Sequence, residues 1–434
     1  MTKAMETIIV NSFTDGIIGP DVPMVGPVKD GGYILANTAP GCWGPMITPS
    51  IRGGHEVTTP VLVEGAEVGD AIAVEILSVV ITSTASASGV DKSIEERFNG
   101  DPFVAGKCPE CGIINPKTIL EGVGMTAVKC ANCNVDATPF IISNGYTMAF
   151  NRSKDIGITL SEKGANQVAR NARGYMNIPD KSKQNPITVF APHDMIGQVS
   201  RVRPFLGQLG TTPKIPFPDS HNAGDFGQFL INAPHEYSIS AADLTYRTDG
   251  HMDLNMVREG AVLICPVKIL GGGIYLGDVH AMQGEGEIAG HTTDVSAAVV
   301  LRVHVIKNLL IDGPILIPLV EDLPHLAKPI TVKEQLKAEA LAEKWAVVDI
   351  EKTAPISFIG SGANLNEAID NGLQRASNTL NLPIEEVKNR CTINGGLTIG
   401  RAPGIILATL LAPIENLKAL KIYHYIKDQY NLPD

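Results

Sequence analysis

Positive charge and aromatic side chains are both scarce in this 434-residue sequence: 35 Lys and Arg face 46 Asp and Glu, and Phe, Tyr and Trp together make up 5%. The net charge of −11 excludes the basic surface that a phosphate backbone or an anionic membrane face attracts, so neither nucleic acid nor a membrane is an expected partner. Long apolar runs are missing as well. The stretch "GIILATLLAP" near the C-terminus spans ten residues, against roughly 20 needed to cross a bilayer. The opening "MTKAMETIIVNSFTDG" carries one Lys and a three-residue apolar run, too short for a secretory leader, and a cytoplasmic protein is expected. No solenoid-period repeat and no low-complexity tract is found. The seven cysteines are an odd number, which argues against a full disulfide framework.

What the sequence has in quantity is glycine and proline, 43 and 29 residues, within a composition that is 44% hydrophobic. That describes a soluble globular protein of many short strands and turns, and the length predicts two or three packed units. Residues 57–82, "VTTPVLVEGAEVGDAIAVEILSVVIT", read as a hairpin of β-branched runs about a Gly-Asp turn. Residues 259–305 repeat that character in "GAVLICPVKIL", "GGGIYLGDVHA" and "VSAAVVLRVHVI". Helical pattern comes late. "TVKEQLKAEALAEKWAVV" opens on a Thr-x-x-Glu capping box at Thr331, and "NLNEAIDNGLQRASNTL" and "PIEEVKNRC" read as two further helices. The four prolines of 312–331 cannot continue either element and mark a boundary. The expected fold is mainly β with an α/β C-terminal part: a β-rich catalytic region over 1–311, a Pro-rich linker over 312–331, and an α/β region over 332–434.

An insert interrupts the first region at 104–136. Cys108-x-x-Cys111 and Cys130-x-x-Cys133 are separated by 18 residues, the spacing of a tetrahedral Cys₄ zinc site. Four thiolates leave the metal no open position, so the expected zinc is structural and the insert a zinc ribbon. A recognition role and disulfide pairing are the alternatives. Lys107, Lys117 and Lys129 balance Glu110, Glu121 and Asp136, which leaves the insert without the basic excess that nucleic acid would need.

The chemistry concentrates in "GDVHAMQGEGE", Gly277 to Glu287. On a strand, Asp278 and His280 project to one face with backbone positions about 6.6 to 6.8 Å apart, close enough to converge on one ion. Glu285 and Glu287 follow, with glycines between and before them that let a ligand approach the backbone. Upstream, His251 and Asp253 in "TDGHMDLN" repeat the alternate spacing, and His291 and Asp294 lie just beyond. Mixed His and carboxylate donors suit Zn, Fe or Mn better than calcium. Neighbouring carboxylates raise one another's pKa, which makes a base useful near neutral pH. Set against this, a Gly-Asp turn is a common connector and a single His commonly serves a loop hydrogen bond. His193-Asp194 in "FAPHDMIG" and His221 in "DSHNAGDFG" are further candidates for the same cavity.

At these residues the sequence resembles the acetamidase/formamidase family. Its signature reads here as Gly250-His251-Met252-Asp253 and as Gly277-Asp278-Val279-His280-Ala281-Met282-Gln283-Gly284-Glu285-Gly286-Glu287. "GGHEVTTPVLVEGAEVGDAIAVEI" is similar to an early family segment and aligns His55 with the family's early histidine, while "NGGLTIGRAPGIILATLLAP" continues the likeness more loosely. His251 stands where the family has Asn, Glu285 where it has Asp, and the ribbon is absent from typical members. The resemblance implies a β-sandwich-like architecture, a homo-oligomer (a dimer or larger), and hydrolysis of a short aliphatic amide to carboxylate and ammonia. With it, His55, Asp253, Asp278 and His280 are expected to hold a divalent ion, possibly zinc, that activates water. Glu285 or Glu287 is then the base, and Gln283, Gly284 and His251 are expected on the substrate. A cysteine nucleophile, Cys265 or Cys42, is the rival mechanism. Rival functions are a non-catalytic amide-binding sensor and a hydrolase of another C–N substrate.

Overall fold

A computed structural model describes residues 7–41, 44–221, 236–238, 240–402 and 404–433. Cys42 and the side chain of His221 lie outside the described residues. The chain is mainly β, 32% strand and 21% helix. Its spine is a nine-stranded sheet in the spatial order Thr7–Val10, Tyr33–Thr38, Ala297–Ile306, Ala71–Ile81, Val262–Pro266, Ile315–Ile317, Thr353–Ser361, Ile405–Pro413, Gly396–Ile399.

Alternation along the central strands decides what covers each face, because successive side chains point to opposite sides. Ile72, Val74 and Ile76, with Leu263 and Cys265, face a core shared with a four-stranded sheet of Phe205–Thr211, Ile274–His280, Val61–Val63 and Val25–Val28. Leu206, Leu209, Leu276 and Val279 come from that second sheet. Ala73, Ile264, Ile356 and Phe358 face the other way, against Leu373, Ala376, Val387, Leu417 and Ile426 of the C-terminal helices. Each fully buried Leu or Ile contributes about 1.5–3 kcal/mol, so two apolar cores, one on each face of the nine-stranded sheet, hold the second sheet and the helical layer against it.

The expected hairpin over 57–82 does not form. Val61–Val63 pairs with Val25–Val28 and touches Ile274, whereas Ala71–Ile81 pairs with Ala297–Ile306 and Val262–Pro266. Ala71–Ile81 is apolar on both faces and needs partners on both edges, so the Gly65 and Gly69 turn carries the chain from one sheet to the other instead of folding it back.

The Pro-rich 312–331 stretch also behaves differently from a linker. Ile315–Ile317 is a strand that pairs with Val262–Pro266 on one side and Thr353–Ser361 on the other. The sheet therefore runs unbroken from the β-rich region into the α/β region. The late helices form as their local chemistry dictates. Thr331 caps Val332–Trp345, with its hydroxyl accepting from the Glu334 amide and the Glu334 carboxylate accepting from the Thr331 amide. Leu365–Leu380 and Ile384–Asn394 follow, the latter with Pro383 at its cap. Among the described residues no helix is long and apolar enough to cross a membrane.

Candidate active site

Asp278 and His280 lie at the end of the buried strand Ile274–His280, whose neighbour Phe205–Thr211 brings Gln208 and Gly207 beneath them. Three loops close round this strand end and deliver His55, the His251–Asp253 pair, and Glu287 facing Arg401. The floor requires glycine. A side chain at Gly207 would come within 2.6 Å of Asp253 Oδ1 and 2.8 Å of Asp278 Oδ2, and one at Gly41 would overlap Asp278 Oδ1. Asp253, Asp278 and Glu287 all have positive φ, 49°, 51° and 42°, a left-handed conformation that costs a non-glycine residue about 1–3 kcal/mol and clusters at functional sites.

The polar groups are packed at contact distance. His280 Nε2 lies 3.1 Å from Asp278 Oδ1 and 3.2 Å from Asp294 Oδ1. His251 Nε2 lies 2.9 Å from Asp253 Oδ2 and 3.7 Å from Asp278 Oδ2, while its Nδ1 meets the Ser220 carbonyl. His55 Nδ1 is 2.6 Å from Gln208 Oε1 and 3.6 Å from Asp278 Oδ2, and its ring stands edge-on to His251 at 5.0 Å. The Arg401 guanidinium donates to Glu287 at 2.6 Å and to Asp253 at 3.2 Å.

Burial opposes charge throughout, and the neighbours decide where charge survives. Burial alone would depress His280, but Asp278 and Asp294 hold its imidazole well above the usual range. Asp253 is driven up by burial and pulled back, well below the ordinary carboxylate value, by His251, Arg401 and His280. Glu287 goes the other way: burial lifts its carboxyl well above normal and Arg401 offsets only part of that. His55 is lowered by burial despite the attraction of Asp278.

Among the described residues, Asp253 Oδ1 and His280 Nδ1 are buried with no hydrogen-bond partner. They face each other across 3.9 Å, a little wider than the roughly 3.4 Å of two tetrahedral donors at about 2.0–2.2 Å from one ion and still within reach of a shared one. Glu287 joins them, so Asp253, His280 and Glu287 could hold a metal ion. The four donors expected to share an ion fall into more than one group. His55 groups with His251 and Asp278, and a third group is Asp278, His280 and Asp294. The enclosed space amounts to about 20 Å³, room for one water or one ion.

Other expected residues lie elsewhere. Gln283 donates to the Asp253 carbonyl at 2.7 Å and the Gly400 carbonyl at 3.4 Å, tying two site loops together. Gly284 and Glu285 are exposed, at the tip of the turn that brings Glu287 inward. Asp194 accepts from the Gly145 amide and His193 Nδ1 meets the Ala191 carbonyl, both loop roles. Cys265 is fully buried between the sheets and its thiol is pushed up to about 12 by burial, which leaves no thiolate to attack. Sequence reasoning passed over Arg401, Gln208 and Asp219, the last accepting from the His55 amide at 2.5 Å. Arg401 carried one signal, a lone cation in "TIGRAPG".

In the insert, the two Cys-x-x-Cys turns face each other. Cys108 and Cys133 sulfurs are 3.5 Å apart and Cys111 and Cys130 sulfurs 3.9 Å, so none is disulfide-bonded and the four could hold a metal. The strands Thr118–Leu120 and Val128–Cys130 form the hairpin between the turns.

A sequence profile of the acetamidase/formamidase family matches residues 19–417. The chain belongs to that family. It is accordingly an amidase that hydrolyses carbon–nitrogen bonds. Acetamidase/formamidase folds agree. A predicted acetamidase/formamidase from Thermoanaerobacter tengcongensis superposes with a TM-score of 0.52 at 15% identity, covering 96% of this chain and 99% of that one. An acetamidase from Yersinia enterocolitica gives 0.52 at 15% identity over 94% and 93% of the two chains. One from Bacillus halodurans gives 0.51 at 16% over 96% and 99%. No curated protein sequence matches the chain.

Proposed function

We propose that this amidase cleaves a short aliphatic amide, of formamide or acetamide size, to a carboxylate and ammonia, with Glu287 as the base that deprotonates the attacking water. The observation that carries it is a buried glutamate with a raised pKa, set 2.6 Å from the Arg401 guanidinium and grouped with Asp253 and His280. A divalent ion held by Asp253 and His280 would acidify a water and polarise the amide carbonyl. Glu287 takes the proton of the attacking water and passes it to the leaving nitrogen. Arg401 keeps Glu287 and Asp253 in register, and Gln208 fixes the His55 ring. Glu287→Gln should cut kcat by about 10²–10⁴-fold while metal content, measured by atomic emission, is retained; loss of the metal together with activity would show Glu287 to be a ligand and overturn its role as base.

The insert is proposed to bind structural zinc. Tetrahedral zinc with Zn–S bonds of about 2.3 Å places sulfurs ~3.8 Å apart, and the observed 3.5 and 3.9 Å straddle that value. Reduced thiols of this kind suit the cytoplasm, the compartment proposed for the activity. A homo-oligomer is proposed with it, because the Val332–Trp345 helix leaves Leu336, Leu341 and Trp345 exposed and a second copy would cover them.

A further inference from the structure

We propose that Phe103, carried to the mouth of the site by the base of the four-cysteine insert, sets the size of acyl group this amidase accepts. The proposal rests on the amide-hydrolysis reading and adds a residue to it. Among the described residues that line the cavity, Phe103 contributes the one apolar side chain; the others are ionisable, hydroxyl-bearing or glycine. The enclosed space holds no more than a water or an ion, so the hydrocarbon of a substrate has to lie outward of the carboxylates, against the Phe103 ring.

That ring is held from behind and from the side. The Asp101 carboxylate accepts from the Phe103 amide at 2.9 Å, and the Asp101 carbonyl accepts from the amides of Val104 and Ala105 at 3.1 Å each. Val104 is fully buried with Phe217. The Phe103 ring stacks on His291 with centroids 6.4 Å apart and planes 26° from parallel. His291 in turn meets Asp91 at 3.0 Å, and Asp91 belongs to Val90–Ser93, the strand that pairs with Phe140–Ser143 to close the base of the insert.

The cysteine turns hold the same base. Gly106 and Lys107 lead directly from this loop into Cys108; the Lys107 amide donates to the Arg97 carbonyl at 2.9 Å and the Asn115 amide to the Gly106 carbonyl at 2.8 Å. Arg97 then donates to the Asp136 carboxylate and the Thr138 carbonyl, 2.8 Å each, on the segment that leads from the insert to Phe140–Ser143. A metal clamping the two turns therefore keeps Phe103 in place. The insert acts as a brace for one wall of the acyl pocket.

The test is a substrate series of formamide, acetamide, butyramide and benzamide, with kcat/KM read from ammonia release for wild type, Phe103→Ala and Phe103→Leu. One methylene in an apolar pocket is worth about 10- to 200-fold. Phe103→Ala should raise the butyramide-to-formamide ratio at least about tenfold, and Phe103→Leu should fall between it and wild type, which covers the case where the alanine variant does not fold. Cys111→Ser, with the insert depleted of metal, should shift the ratio in the same direction. Calorimetric binding of formate, butyrate and benzoate reads the same wall without turnover. Wild type that binds these acids but hydrolyses no amide would overturn the amidase reading alone. A ratio and acid preference unchanged in both Phe103 variants would overturn the role of Phe103.

Discussion

Glu287 and Glu285 stand two positions apart in one glycine-spaced turn, and the structure separates them completely. Glu287 is buried against Arg401, and Glu285 points to solvent. Glu285→Gln should leave kcat within about twofold of wild type, since exposed substitutions away from a site cost little; a hundredfold loss in a steady-state assay would restore Glu285 as the base. Glu56, beside His55, gives a second test of burial. Its carboxyl accepts from the Ser182 hydroxyl and, at 2.7 Å, from the Lys183 amide, and burial lifts its pKa from about 4.5 to about 7. The folded chain thus keeps a proton that the unfolded chain releases. Stability from this group is full below about pH 4.5 and is lost as pH rises through about 7, by roughly 3 kcal/mol in all. Glu56→Gln should remove that loss, so denaturant melts at pH 5 and pH 8 should show the variant gaining on wild type at the higher pH. An equal difference at both would refute the linkage. Residues such as Asp278, His280 and Glu287 were legible because the strand period and glycine spacing display them. Arg401 was not, because a lone cation in "TIGRAPG" does not reveal that its partners are carboxylates 114 and 148 positions away.

At the scale of elements, short-range chemistry was readable and partner choice was not. The capping box at Thr331 and the two cysteine turns are set by residues three or four apart, and each forms as its spacing dictates. Thr331→Ala should cost about 1 kcal/mol, visible as faster amide exchange across Val332–Trp345, a helix that buries only Ala342; exchange unaltered there would mean the cap contributes nothing. The 57–82 strands were read as a hairpin because their turn has hairpin chemistry, yet both faces of Ala71–Ile81 are apolar and its partners are distant in sequence. If the insert holds the proposed zinc, chelation should raise amide exchange in Thr118–Leu120 and Val128–Cys130 well before the main sheet responds. Uniform exchange throughout would show the insert to be held by its packing alone.

For the whole molecule, the continuous sheet is the feature least visible in the sequence, since Ile315–Ile317 is hidden among prolines. A fragment ending at residue 311 would leave Val262–Pro266 without its partner on that edge and would expose Ala73 and Ile264, which face the C-terminal helices. It should be insoluble or open to limited proteolysis throughout, and a cooperative melt from that fragment would show that the first region folds alone. The position of Arg401 extends this to synthesis. During translation Glu287 and Asp253 leave the ribosome more than a hundred residues before the cation that pairs with both of them, so through most of its birth the nascent chain carries these two carboxylates without their counterion, and the buried cluster can be completed only as the strand Ile405–Pro413 is being made.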